Sequence, residues 1–174
     1  MTRIIGIDPG SRITGYGIID VNGNHNAYVS SGCVHVDGNT IADRLKIIFN
    51  EISQIVSDHQ PHEMAIEQVF MHRNPDSALK LGQARGAAIC ACVNHELPVS
   101  EYSAREIKQA TVGKGAAQKE QVQHMVKVLL ALSDIPQADA ADALAVALCH
   151  AHKRHALMNF ENGQKIVDGR VRIT

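Results

Sequence analysis

Hydrophobic and polar positions follow two distinct periods along this chain. Ile4, Ile5 and Ile7 form a β-branched run without polar alternation, the pattern of a strand buried on both faces, and Pro9-Gly10 ends it because Pro cannot extend a ladder. Ile13 to Val21 reads as a second strand. An Asn-Gly turn within Val21-Asn22-Gly23-Asn24 then leads to a third near Ala27 to Val36, giving a three-stranded antiparallel meander. Gly15 and Gly17 keep one face of the second strand small, which admits a closely packed helix or a ligand. Thr40 and Asp43 have capping-box spacing, and Ile41, Leu45, Ile48, Phe49, Ile52, Ile55 and Val56 then recur at helical spacing. This helix should run to about Asp58 and stop before Pro61. Glu63 to Phe70 follows as a short strand that, entered after a helix, runs parallel to the first.

Asn74-Pro75 places a cap and a first-turn Pro at the start of a helix reaching about Asn94. Inside it, Gly82 and Gly86 each cost roughly 1 kcal/mol relative to Ala, so they imply close packing against an internal helix or the same helix of a second subunit. Leu97 to Tyr102 is the next strand, and Ser103 with Glu106 caps a short helix that gives way at Val112-Gly113-Lys114-Gly115. A further helix is expected from about Ala117 to Leu132, and a strong Ala-rich one from Asp139 onward. The chain therefore reads as an α/β protein, a mixed five-stranded sheet (three antiparallel strands and two parallel ones) flanked by helices. One domain over 1–158 and a flexible C-terminal tail over 159–174 are expected.

Composition narrows this picture. Hydrophobic residues make up 45% of the 174, yet aromatics are 3% and Trp is absent, so the core is aliphatic. The N-terminus runs straight into a strand and no apolar run suits a bilayer, so no membrane association and a cytoplasmic location are expected. Cys33, Cys90, Cys92 and Cys149 form no CxxC pair and read as buried free thiols; His150, His152 and His155 lack the spacing and the thiolates of a zinc site. Net charge is −1, but Arg105, Lys108, Lys114 and Lys119 face only Glu106 within 105–119, which is either a solvated helix face or an anion-binding edge. Gly113-Lys114-Gly115 lacks the context of a nucleotide-binding loop, and the lysines around it suit a phosphate backbone better.

Four carboxylates carry the candidate chemistry. Asp8 stands at the tip of a central strand, and the parallel topology brings Glu67 level with it, at the strand ends where open α/β sheets place their sites. Asp139 and Asp142, at i,i+3, point the same way from the first turn of the last helix. Each has a structural alternative: Asp8 as a turn residue, the two helical acids as N-terminal caps. Together they form a set of hard oxygen ligands suited to Mg²⁺ or Mn²⁺, and two such ions about 3.5–4 Å apart can drive phosphodiester hydrolysis. Phe70 is either a lid on the core or a ring that stacks on an unpaired base beside the site.

The element order resembles the ribonuclease H-like nucleases, and the resemblance extends to motifs. GIDPGSRITGYG, AIEQVF followed by NPDSALKLGQARG, KQATVGKGAAQKEQV and QADAADALAVALCH together resemble the bacterial RuvC-type Holliday-junction resolvases over essentially the whole chain to about residue 155. That resemblance implies that Asp8, Glu67, Asp139 and Asp142 are the catalytic, metal-binding acids. It implies that Phe70, Lys108 and Lys119 contact DNA, with Lys114 in the basic glycine loop. It further implies two Mg²⁺ ions per site with Mn²⁺ as a substitute, a homodimer, a four-way DNA junction as substrate, and cooperation with the RuvA and RuvB branch-migration complex. Two other readings stay open at this stage: a non-catalytic junction-binding scaffold, and a related ATPase, for which the chain is short and shows no second phosphate loop.

Overall fold

A computed structural model of the chain describes residues 1–69, 75–167 and 170–173. Its main sheet has the order β3-β2-β1-β4-β5, built from β1 (Thr2–Asp8), β2 (Ile13–Asn22), β3 (His25–His35), β4 (Glu63–Glu67) and β5 (Val99–Tyr102). β1, β2 and β3 pair antiparallel, while β4 pairs parallel with both β1 and β5. The helices are α1 (Ile41–His59), α2 (Pro75–Val93), α3 (Ala104–Val112), α4 (Lys119–Leu129) and α5 (Ala138–Gly163). A two-stranded sheet, β6 (Gln164–Val167) with β7 (Arg170–Ile173), follows.

The two-residue period of a strand divides the sheet into two faces. Ile5 and Ile7 of β1 and Met64 and Ile66 of β4 pack with Ile48, Ile52, Ala84 and Ala88 of α1 and α2. Ile4 and Ala65 turn to the opposite face, where α3, α4 and α5 supply Ile107, Val126, Leu144 and Leu148. α5 is apolar on every side through its middle, with Ala141 to Cys149 all fully buried except Asp142. It can lie this close because β1 and β2 present glycines to it. A Cβ on Gly6 would strike the Ala143 carbonyl and Ala147, one on Gly15 the Asp139 carbonyl, and one on Gly17 the Leu144 side chain. The small face expected of β2 is thus a helix-packing track.

Local signals set several boundaries. Both expected capping boxes form: Thr40 with Asp43 opens α1 and Ser103 with Glu106 opens α3. α1 ends where Gln60 turns left-handed, and α3 where Gly113 does. Other elements differ from expectation. β4 stops at Glu67 rather than continuing to Phe70, and the hairpin between β2 and β3 pairs Asn22 with His25, so its turn residues are Gly23-Asn24 rather than Asn22-Gly23. α4 begins at Lys119, after extended Gln118, whose N–H donates to Gln121 Oε1 (2.9 Å), and it ends at Leu129, two residues before Ala131 turns left-handed. Among the described residues, Gly82 and Gly86 meet nothing within 4 Å of a Cβ, so no described helix packs on them. Cys90 is exposed rather than buried. α5 continues past the expected domain end at 158, as far as Gly163.

Candidate active site

The site is assembled where β1, β4 and the head of α5 meet. Ile7 pairs with Ile66 in parallel register, which brings Asp8 and Glu67, the next residues, side by side at their strand ends. Both continue the face that Ile4 and Ala65 present to α5. Asp8 is opposite Gly15 in the antiparallel pairing, and Gly15 is the residue over which the Asp139 backbone sits. One missing Cβ therefore lets the acid-bearing first turn of α5 reach Asp8. The turn after Asp8 is held by buried Thr14, whose hydroxyl donates to the Gly10 carbonyl (2.9 Å) and accepts from the Gly10 N–H (3.4 Å).

Crowding shows in the electrostatics. Burial pushes the Asp8 carboxyl up to about 7, and the neighbouring charges of Glu67, Asp142 and Asp139 push it the same way, while Lys119 opposes them. Glu67 is also raised, first by burial and then by Asp142, with Lys108 and Lys119 opposing. Two cations are thus built into the margin. Lys119 Nζ lies 2.7 Å from Asp142 Oδ2. Lys108 and Lys119 line, with Glu67, Asp142, Ala104, Ile107, Val122 and Ala145, a cleft of about 230 Å³. A wider cleft of about 610 Å³ adjoins it, lined by Asp8, Pro9, Glu67, Gln68, Val69, Leu81 and Ala104.

The structure thus gathers Asp8, Glu67, Asp139, Asp142, Lys108 and Lys119. Lys114 stands on the exposed loop between α3 and α4, outside the lining of these clefts, and Phe70 lies outside the described residues. Two participants went unnoticed in the sequence. Arg85 of α2 donates from Nε to the Glu67 carbonyl (3.1 Å) and pairs through Nη2 with Glu101 of β5 (2.6 Å), so it fixes the backbone that carries Glu67. Its signal was a lone Arg in a small-residue stretch. Cys33 pairs with Gly15 across β2 and β3, and burial first, then the Asp139 and Asp8 charges, raise its thiol.

An all-oxygen donor set suits a hard divalent cation. The Lys119 ammonium against Asp142 shows that this set recruits positive charge. As the side chains stand, no group of three or more His, Cys, Asp or Glu residues among those described is gathered closely enough to hold an ion.

Comparison with known proteins agrees with this geometry. The family model of crossover junction endodeoxyribonuclease RuvC matches residues 4–150. The chain is 57% identical over 173 residues to the protein of that name from Marinobacter nauticus, covering 99% of each, and 59% identical over 174 residues to that of Pseudoalteromonas atlantica, covering 99% of this chain and all of the relative. Among solved structures, T. thermophilus RuvC in complex with Holliday junction substrate superposes with a TM-score of 0.84 at 31% identity, over 90% of this chain and 96% of that one. The yeast mitochondrial Holliday junction resolvase Ydc2 shares the fold at 12% identity, with a TM-score of 0.65 over 92% and 84% of the two chains.

Proposed function

This chain belongs to the crossover junction endodeoxyribonuclease RuvC family, and from that premise we propose that it resolves Holliday junctions by paired nicks that a ligase can reseal. The observation that carries the catalytic part of this reading is Asp8, a carboxyl sunk among three others with two lysines beside them. A non-catalytic scaffold needs the lysines but gains nothing from burying mutually repelling acids.

Asp8, Glu67, Asp139 and Asp142 are the residues we assign to hydrolysis. Asp8, between the strand and helix carboxylates, faces both halves of the ligand set; Glu67 and Asp142 hold the ions, and Asp139 completes the set or orients the water. When bound, two Mg²⁺ ions, or Mn²⁺ in their place, would activate the attacking water and stabilise the leaving oxygen. The water oxygen bonds to phosphorus as the bond to the 3′ oxygen breaks and that oxygen is protonated, leaving 5′-phosphate and 3′-hydroxyl ends. Lys108 and Lys119 hold the phosphates flanking the reacting one, and Lys114 extends the basic track along the duplex. Phe70 completes the assignment as the aromatic that stacks on an unpaired base.

The reading extends to assembly. A homodimer matches the two-fold symmetry of a four-way junction, and the face of α2 with open Gly82 and Gly86 and exposed Leu79 and Val93 supports it as part of the contact. The dimer works in the cytoplasm with RuvA and RuvB; among the described residues no helix is long and apolar enough to cross a membrane. The nuclease unit is 1–158, with 159–174 an appendage. The test is an end-labelled four-way junction beside a matched linear duplex, each with Mg²⁺ and with EDTA. Symmetric, ligatable nicks in the junction alone, lost in EDTA, are expected; junction binding without metal-dependent cleavage across several sequences would overturn the enzyme in favour of the scaffold.

A further inference from the structure

Lys119 occupies an unfavourable place for a cation. It is the first residue of α4, where the helix dipole presents its positive end, yet its ammonium is drawn across the cleft onto Asp142 Oδ2 at 2.7 Å. The attraction is from the whole acid group, since Asp139 and Asp8 act on Lys119 as well as Asp142. The contact is also reversible: the lysine side chain is half exposed and sits on a flexible four-carbon stem, while Asp142 is mostly enclosed. Lys108 lines the same cleft but, among the described residues, forms no ion pair.

One oxygen of Asp142 cannot serve this ammonium and a divalent ion at full strength, and the ammonium repels any ion entering beside it. A DNA phosphate at the cleft offers Lys119 another anion, and taking it frees Asp142. We infer that Lys119 is a latch on the metal site: it holds Asp142 in the DNA-free protein, and a substrate phosphate releases it, so that metal loading is coupled to DNA binding. This rests on the reading of the four acids as metal ligands. It adds an order of events to that reading, in which the free enzyme loads metal poorly. The coupling is reciprocal, so metal must tighten DNA binding by the same factor through which DNA tightens metal binding.

Mn²⁺ binding to the DNA-free dimer, followed by calorimetry and by electron paramagnetic resonance, tests this without measuring cleavage. Lys119→Gln should bind Mn²⁺ about fivefold or more tightly than the parent, Lys119→Arg within about twofold of it, and Lys108→Gln less than about twofold more tightly, because the latter removes a charge but no latch. Equal gains in Lys119→Gln and Lys108→Gln, or no gain in Lys119→Gln, would overturn the latch. A junction with non-hydrolysable linkages should raise Mn²⁺ affinity about tenfold in the parent and less than about threefold in Lys119→Gln; equal gains would likewise overturn it. Asp142→Asn separates the two readings. If it binds Mn²⁺ as the parent does, the metal-site assignment has failed; if it loses Mn²⁺ while Lys119→Gln gains nothing, only the latch has.

Discussion

β4 carries two glutamates on one face, both turned toward α5, and their surroundings are opposite. Glu63, at the start of the strand, accepts from His150 Nε2 (2.7 Å) and Arg154 Nε (2.9 Å), while His150 Nδ1 accepts the Tyr102 hydroxyl (2.7 Å) in the tautomer that satisfies both partners. Glu67, four residues on, meets Asp142 and Asp8, and its carboxyl is raised by burial and by the Asp142 charge. The same strand and the same helix thus build a closed polar knot at one end and, about 13 Å away, a cluster of four acids that Lys119 offsets only in part, through Asp142. Buried polar groups that serve only the fold find partners. A cluster of like charges that is paired only in part is held in place by the packing around it, a cost that a bound cation would offset.

The widest separation between the two ends should come from Asp8→Asn. On the reading of the four acids as metal ligands it removes one carboxylate and one of the repelling charges together, so junction cleavage should fall by about a thousandfold or more while junction binding in EDTA is kept. The metal-free protein should become more stable, not less. Loss of binding in parallel with cleavage, seen by gel shift, would break the division between acids that react and lysines that bind. Gly15→Ala acts on the scaffold instead. Its new Cβ would strike the Asp139 carbonyl, which cannot move without shifting α5, so about 1–3 kcal/mol of stability and about a hundredfold in cleavage should be lost. An unchanged rate would mean that the close seat of α5 on β2 does not set the acid geometry.

His150→Ala should do the reverse of Asp8→Asn. It strands the Tyr102 hydroxyl and one oxygen of Glu63 in a half-buried setting, which should cost about 2–3 kcal/mol in urea unfolding. Cleavage at a temperature where the variant remains folded should stay within about threefold of the parent. A large loss of rate with little loss of stability would make the knot part of the reaction.

How much of this was legible in the sequence follows from the range of each interaction. Asp8 at a strand tip, both capping boxes and the helical acids depend on residues within a few positions, and they appear where local pattern puts them. The small face of β2 was visible too, although only the fold could assign it to α5. The knot was not: Glu63 and His150 are 87 residues apart and Tyr102 and His150 are 48 apart, so no window of sequence contains it. Arg85 was hidden for the same reason, since its target is the Glu67 carbonyl rather than a side chain. Gly82 and Gly86 left an internal helix and a second subunit equally open because small residues imply close packing without naming the partner, and among the described residues nothing lies within 4 Å of a Cβ at either. The basic stretch, in turn, held residues of different standing, and only the cleft separates Lys119 on Asp142 from Lys114 on its exposed loop.

The smallest effect tests the acidic end directly. Asp8 is raised from an ordinary 3.8 to about 7 by burial and by Glu67, Asp142 and Asp139, with Lys119 the opposing cation among the groups that face it. Between about pH 4 and pH 7 the unfolded carboxyl has therefore lost its proton while the native one keeps it. The native state binds more protons across that window, so its stability must fall as pH rises, and the fall is complete once Asp8 ionises in both states. Contributions that the parent shares with Asp8→Asn largely cancel in the difference. Urea unfolding in EDTA should thus show the stability of the parent declining relative to Asp8→Asn by about 1.4 kcal/mol between pH 6 and pH 8. Saturating Mg²⁺ should remove most of that slope, because a bound cation offsets the charge whose burial causes it. A flat difference in EDTA would mean that Asp8 ionises as easily in the folded protein as in the unfolded chain, and the contrast between the two glutamate ends of β4 would then be one of geometry alone.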